Sequence, residues 1–260
     1  MQYFTFLGVG TLPEGYEEAL YSFEDNKEEI HASKYVQSAI IEKFQSAISE
    51  VFVFCTEKSY SLGARNIKNE IKTKFNIDIK FITINEFVKI EEILQKMDEV
   101  LKEDFIIDVT HSFRNIPISV TMISNYLEVS TKKQLKHLFY GNYNRETNEG
   151  LIIDLINQYE NSKIASSLMA FDQFLKISDT YLYNLNDNKI NNLMKGIYQF
   201  NHMLDYCEFD SCVHSISQIY NFCQSILKEK DKYILHYLFI LSPKYKENFT
   251  LSSSPSVSFS

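Results

Sequence analysis

Phe105-Ile106-Ile107-Asp108-Val109-Thr110-His111-Ser112-Phe113-Arg114-Asn115-Ile116-Pro117 is the stretch that decides the fold. Phe105 to Val109 reads as a buried strand, because aromatic and β-branched residues run through it with a single carboxylate among them. Ile116 to Val129 then carries apolar residues at three- and four-residue spacing, which predicts a helix. A buried strand followed by a polar loop and a helix is one βα unit of an open parallel sheet.

The same alternation extends in both directions. Tyr3 to Gly8, Val51 to Cys55, Ile77 to Thr83 and Leu135 to Tyr140 read as strands, and Leu151 to Asp154 forms a last run after the turn-rich residues 142–150. Lys34 to Ser49, Ala64 to Phe75 and Glu86 to Lys102 have the length and apolar spacing of crossover helices. Right-handed crossovers then give an α/β fold, a Rossmann-like, doubly wound, mostly parallel sheet over residues 1–155.

Beyond Asn157 the character changes, for six of the seven glycines and all three arginines already lie behind. Ala165 to Ile177, Asn191 to Tyr206, Cys212 to Lys228 and Lys232 to Leu241 read as helices, so residues 156–250 are expected to form an all-α domain. The serine-rich, uncharged residues 251–260 are expected to be a disordered tail.

Composition narrows the function. The chain has 260 residues, 45% of them hydrophobic and 23% charged, with a formal net charge of -8. These values exclude wholesale disorder, and the acidic balance argues against stable binding of long nucleic acid through many lysine–phosphate contacts. No apolar run reaches the roughly 20 residues of a membrane span, and the first residues carry no positively charged leader, so a cytoplasmic protein is expected. Cys55, Cys207, Cys212 and Cys223 form no C-x-x-C pair and read as reduced thiols. With His202 and His214 they match no zinc spacing, so neither a metal nor a cofactor is expected.

In an open parallel sheet ligands bind beyond the carboxyl ends of the strands. The residues expected there are Gly8, Val9, Gly10 and Thr11 after the first strand, and Thr56, Glu57 and Ser59 after the second. Asp108, Thr110, His111, Ser112, Phe113, Arg114 and Asn115 follow the fourth, and Gly141 and Asn142 the fifth. Glycines admit close approach, while hydroxyl, amide, imidazole and guanidinium groups supply donors suited to phosphates and nucleobases. Gly8-Val9-Gly10 lacks the third glycine of the dinucleotide fingerprint and alone reads more often as a tight turn than as a cofactor loop. Thr56 to Ser61 reads equally as a helix cap.

Asp108-Val109-Thr110-His111-Ser112-Phe113-Arg114-Asn115-Ile116-Pro117 resembles the D-x-T-H-G-F-R-x-x-P signature of CRISPR-associated proteins with a CARF domain, with Ser112 in the place of the glycine. Phe6 to Gly10, Tyr35 to Ile40, Val53 to Thr56 and the start of the helical part at Asn161 to Phe174 are also similar to that family. The resemblance implies a homodimer that binds cyclic tetra-adenylate or cyclic hexa-adenylate, the messenger of type III CRISPR defence, at its dimer interface. It also implies that the helical part is the beginning of a HEPN ribonuclease module. HEPN enzymes use an Arg followed four to six residues later by His, and here no arginine follows Arg145, so the module reads as truncated or degenerate. Two alternatives stay open: a ring nuclease that slowly cleaves the cyclic messenger, with His111 and Ser112 as its candidate catalytic residues, and an unrelated Rossmann-type nucleotide-binding protein.

Overall fold

The computed structural model describes residues 1–9, 16–86, 89–111, 116–174, 188–206, 215, 218, 219 and 221. The chain divides into two compact units, Met1–Asn157 and Gln158–Ser260. Unit one contains the strands β1 (Gln2–Leu7), β2 (Ala19–Phe23), β3 (Asn26–Ser33), β4 (Glu50–Cys55), β5 (Ile79–Thr83), β6 (Phe105–Asp108), β7 (Leu135–Asn144) and β8 (Glu149–Asp154). Its helices are α1 (Val36–Phe44), α2 (Glu57–Phe75), α3 (Ile90–Val100) and α4 (Ile116–Thr131). The eight strands make one mixed, mostly parallel sheet in the order β3-β2-β8-β7-β6-β1-β4-β5.

Five adjoining strands, β7-β6-β1-β4-β5, run from the β5 edge inward and are parallel throughout. From β1 the chain winds outward through β4 to β5, then returns to the other side of β1 for β6 and β7. This order is compatible with a Rossmann-like sheet, and its direction of winding reverses between β1 and β6. Side chains alternate as a strand requires. Tyr3, Leu7, Val51, Val53, Cys55 and Ile106 share a buried cluster with Val36, Ala39 and Ile40 of α1 and Ile67 and Ile71 of α2. The residues in between form an aromatic layer on the opposite face, with Phe4 stacked on Phe52 at 5.1 Å and edge-on to Phe105 at 6.4 Å. Helices α3 and α4 pack on each other and bury Ile93, Met97, Val120, Ile123 and Leu127.

Three differences from the sequence reading matter. Between Gly8 and Lys34, where the sequence predicts no element, the chain forms the antiparallel hairpin β2–β3, and β2 joins the sheet parallel to β8. Most of β3 is exposed, so it has no apolar alternation to read. The strand predicted to end at Tyr140 continues to Asn144, and Gly141 and Asn142 pair with Ile152 and Leu151 of β8. The helix predicted from Ala64 starts at Glu57.

In the chain beyond Asp154, α5 (Ile156–Phe174) and α6 (Asn188–Asp205) are helical. Buried Leu193, Met194, Ile197 and Phe200 give α6 one apolar side. The predicted helix Lys232 to Leu241, the tail 251–260 and most of Cys212 to Lys228 lie outside the described residues. None of the described helices is long and apolar enough to cross a membrane.

Candidate functional site

The carboxyl ends of β1 and β6 meet where the winding reverses, and a hydrogen-bonded network closes the sheet there. Asp108, the last residue of β6, has no exposed surface. Its Oδ2 accepts from the Thr5 hydroxyl at 2.7 Å and the Tyr3 hydroxyl at 3.4 Å, and its Oδ1 accepts from the Thr110 backbone N–H at 2.9 Å and from the Thr110 hydroxyl. A buried carboxylate is tolerated only when its lone pairs are matched in this way. Burial and the Asp108 charge push the Tyr3 phenol well above its ordinary range, so it stays a donor.

The network reaches both neighbouring elements. Gln37 of α1 donates from Nε2 to Thr5 Oγ1 at 3.2 Å and to the Phe6 carbonyl at 3.0 Å. Thr110 Oγ1 accepts from the Gly141 N–H of β7 at 2.7 Å. A Cβ at Gly141 would stand 3.1 Å from Thr110 Cγ2 and 3.1 Å from Val36 Cγ2, so glycine is what lets β7 approach the loop after β6. Asp108 and Thr110 are thereby committed to internal bonds, and their role is to fix the loop that follows.

That loop delivers His111. Burial holds its imidazole below the ordinary value, against a smaller opposing pull from Asp108, so the ring is neutral near pH 7. Its Nε2 is buried with no hydrogen-bond partner. The backbone of His111 faces Gly8, where a Cβ would lie 3.4 Å from the His111 carbonyl oxygen and 3.1 Å from the Tyr16 hydroxyl. Tyr16 leans on the imidazole with ring centroids 4.9 Å apart and on Tyr35, which heads α1, at 5.3 Å. Gln37 Oε1 and Ser38 Oγ in the first turn of α1 are also buried and unpartnered. Three unsatisfied polar atoms thus lie on the two elements that flank the end of β1.

Comparison with known families and curated proteins finds no match. The chemistry of the site therefore rests on its residues.

The structure gathers Gly8, Asp108, Thr110, His111 and Gly141 at one place. Val9 lies beside them, exposed, and Asn142 is exposed on the part of β7 that runs past the end of β6. Thr56 and Ser59 are used otherwise, in the cap alternative of the sequence reading. The Ser59 N–H donates to Thr56 Oγ1 at 3.1 Å and the Thr56 N–H to Ser59 Oγ at 2.9 Å, a reciprocal capping box at the start of α2, with Glu57 exposed beside it. Gly10, Thr11, Ser112, Phe113, Arg114 and Asn115 lie outside the described residues.

Sequence reasoning did not single out Thr5, Tyr16 or Gln37 as site residues. Thr5 carried a signal, a hydroxyl between Phe4 and Phe6 in a strand buried on both faces, and Gln37 lies in the Tyr35 to Ile40 stretch that entered the resemblance without being singled out. Among the described residues no group of three or more His, Cys, Asp or Glu is placed to hold a metal ion. Cys55 is buried without a disulfide, and burial pushes its thiol up to about 11, which makes it a packing residue.

Proposed function

We propose that the chain is a cyclic oligoadenylate sensor of the CARF type, acting in the cytoplasm as a homodimer that binds cyclic tetra- or hexa-adenylate and regulates its helical module. The observation that carries this reading is the unpartnered His111 Nε2 at the reversal point of the sheet, on a loop held by the Asp108–Thr110–Gly141 bonds. An open α/β sheet binds ligands at that point, and a nucleobase or ribose supplies the missing partner. The sequence Asp108 to Pro117 supplies the resemblance that names the ligand.

A second copy is supported by α4, whose first two residues, Ile116 and Pro117, close the signature. Met122, Tyr126 and Val129 lie at four- and three-residue spacing on one side of it and are 66%, 55% and 45% exposed, an apolar stripe that self-association would cover. A symmetric ring is read well by two identical half-sites.

A ring nuclease is the second reading, favoured by the neutral, buried imidazole of His111. Such a group can take a proton from a ribose 2′-hydroxyl as that oxygen attacks the adjacent phosphorus, while the departing 5′-oxygen takes a proton from solvent. Ser112, beside it in sequence, is the second catalytic candidate.

The test is a thermal-shift panel of ATP, NAD, linear adenylates and the two cyclic adenylates, followed by product analysis. The sensor reading predicts stabilisation by one of the cyclic compounds and little by the others; turnover to linear products adds the nuclease. No shift with either cyclic compound at saturation would refute both.

A further inference from the structure

We propose that the space filled by the Tyr16 ring, between Tyr35 and His111 and over Gly8, is a nucleobase seat that Tyr16 holds shut until a base displaces it. The inference rests on the nucleotide-binding reading above and adds to it where the base goes and what guards the place.

Three observations point there. The first is the shape of the surroundings. Tyr16 has an imidazole centroid at 4.9 Å and a phenol centroid at 5.3 Å, the first tilted by 43° and the second edge-on at 63°, so its ring sits against two other flat rings. Ring pairs at such separations are attractive, and an incoming base meets the same two partners. The second is the floor. The Tyr16 hydroxyl takes up the room that glycine leaves at position 8, since a Cβ there would come within 3.1 Å of it. The room that the sequence suggested for a ligand is present, and the protein's own side chain stands in it.

The third observation is that Tyr16 matches the polar groups around it poorly. It leaves His111 Nε2 buried without a partner. Buried polar groups left unmatched favour any occupant that pairs with them. A purine presents the same kind of face with ring nitrogens and an exocyclic amine along its edge, so it can accept from His111 Nε2–H or donate to the bare nitrogen, whichever tautomer is present. An aromatic ring without a polar edge would gain nothing over tyrosine. The site thus selects for a nucleobase over an apolar aromatic.

A closed seat lowers apparent affinity by the fraction of molecules in which Tyr16 is out. If that fraction is about one in ten, Tyr16→Ala should bind cyclic tetra- or hexa-adenylate about tenfold more tightly than the unsubstituted chain, while Tyr16→Phe, which keeps the ring, should stay within about twofold. Weaker or unchanged binding by Tyr16→Ala would overturn the proposal and make Tyr16 a stacking platform or a bystander.

Two further arms separate the proposal from the reading beneath it. Without any ligand, modification of His111 by diethylpyrocarbonate, followed by peptide mass, should be several-fold faster in Tyr16→Ala; an unchanged rate would overturn the shielding role whatever binds. Faster modification with no adenylate bound by either protein would instead refute the nucleotide reading and with it the nucleobase seat. In the unsubstituted chain, which needs no variant to fold, nitration of Tyr16 by tetranitromethane should rise when the cyclic adenylate is saturating. Nitration that falls or stays level while ligand binds would show that the ring does not leave.

Discussion

Two strand ends in this sheet look alike on paper and differ in the molecule. After β4 comes Thr56-Glu57-Lys58-Ser59, and after β6 comes Thr110-His111, each a polar run between a buried strand and a helix. At the first, Thr56 and Ser59 satisfy each other's backbone N–H groups in a capping box that starts α2. At the second, Asp108 and Thr110 are equally well matched, but what they hold in place is an imidazole with a buried nitrogen that nothing pairs. Polar composition at a strand end is therefore a poor guide to a ligand site. An unsatisfied atom on a well-braced loop is a better one.

The sharpest way to break this comparison is to remove the brace. Asp108→Ala leaves the Tyr3, Thr5 and Thr110 hydroxyls and the Thr110 N–H without their acceptor in a buried place. Urea denaturation should show a loss of at least about 3 kcal/mol, because several buried donors are orphaned at once. A loss below about 1 kcal/mol would mean that the network is not what holds the loop.

The cap should behave differently. Thr56→Ala removes one half of a capping box and should cost about 1 kcal/mol in the same measurement, with affinity for the cyclic adenylate unchanged. Weakened binding by this variant would return Thr56 to the ligand site and erase the distinction between the two strand ends.

How far the sequence revealed this arrangement follows from where the partners lie. Of the five parallel strands, β1, β4 and β6 were legible because both their faces are buried, and β5 and β7 because aromatic and branched apolar residues still run through them. Strand β3 was not, since Asn26, Lys27, Glu28, Glu29 and Ile30 are all exposed and leave no alternation. Asn142 to Asn144 read as part of a turn from composition, yet pairing with β8 keeps them in a strand. In the site, Gly8, Asp108 and His111 were found because glycines and a dense polar run stand out locally. Thr5 and Gln37 escaped because their roles depend on residues 103 and 32 positions away, a relation that a linear reading does not contain. Tyr16 is one of 17 tyrosines, and only its place between Tyr35 and His111 distinguishes it.

Acid provides a subtler discrimination. Burial holds His111 below the ordinary histidine value of about 6.5, so the unfolded chain takes up a proton there before the folded chain does. Its contribution to stability is full above about pH 6.5 and is lost as the pH falls toward the folded-state value. Asp25, Glu50 and Glu103, whose carboxyls are held low by Lys43, Lys80 and the amino terminus, act only below about pH 4.5. Between pH 7.5 and 5.5 the denaturation midpoint should therefore drop in the unsubstituted chain and drop less in His111→Gln. Equal slopes would show that His111 is not held neutral by burial.

The central claim is that the unpaired His111 nitrogen is where this protein meets its ligand, and titration calorimetry of His111→Ala against Thr56→Ala tests it most directly. The titrant is whichever cyclic adenylate shifts the melting of the unsubstituted chain in the thermal panel. The account predicts that Thr56→Ala binds as the unsubstituted chain does, while His111→Ala loses at least about tenfold in affinity, the scale of one buried hydrogen bond. Full affinity in His111→Ala would contradict it.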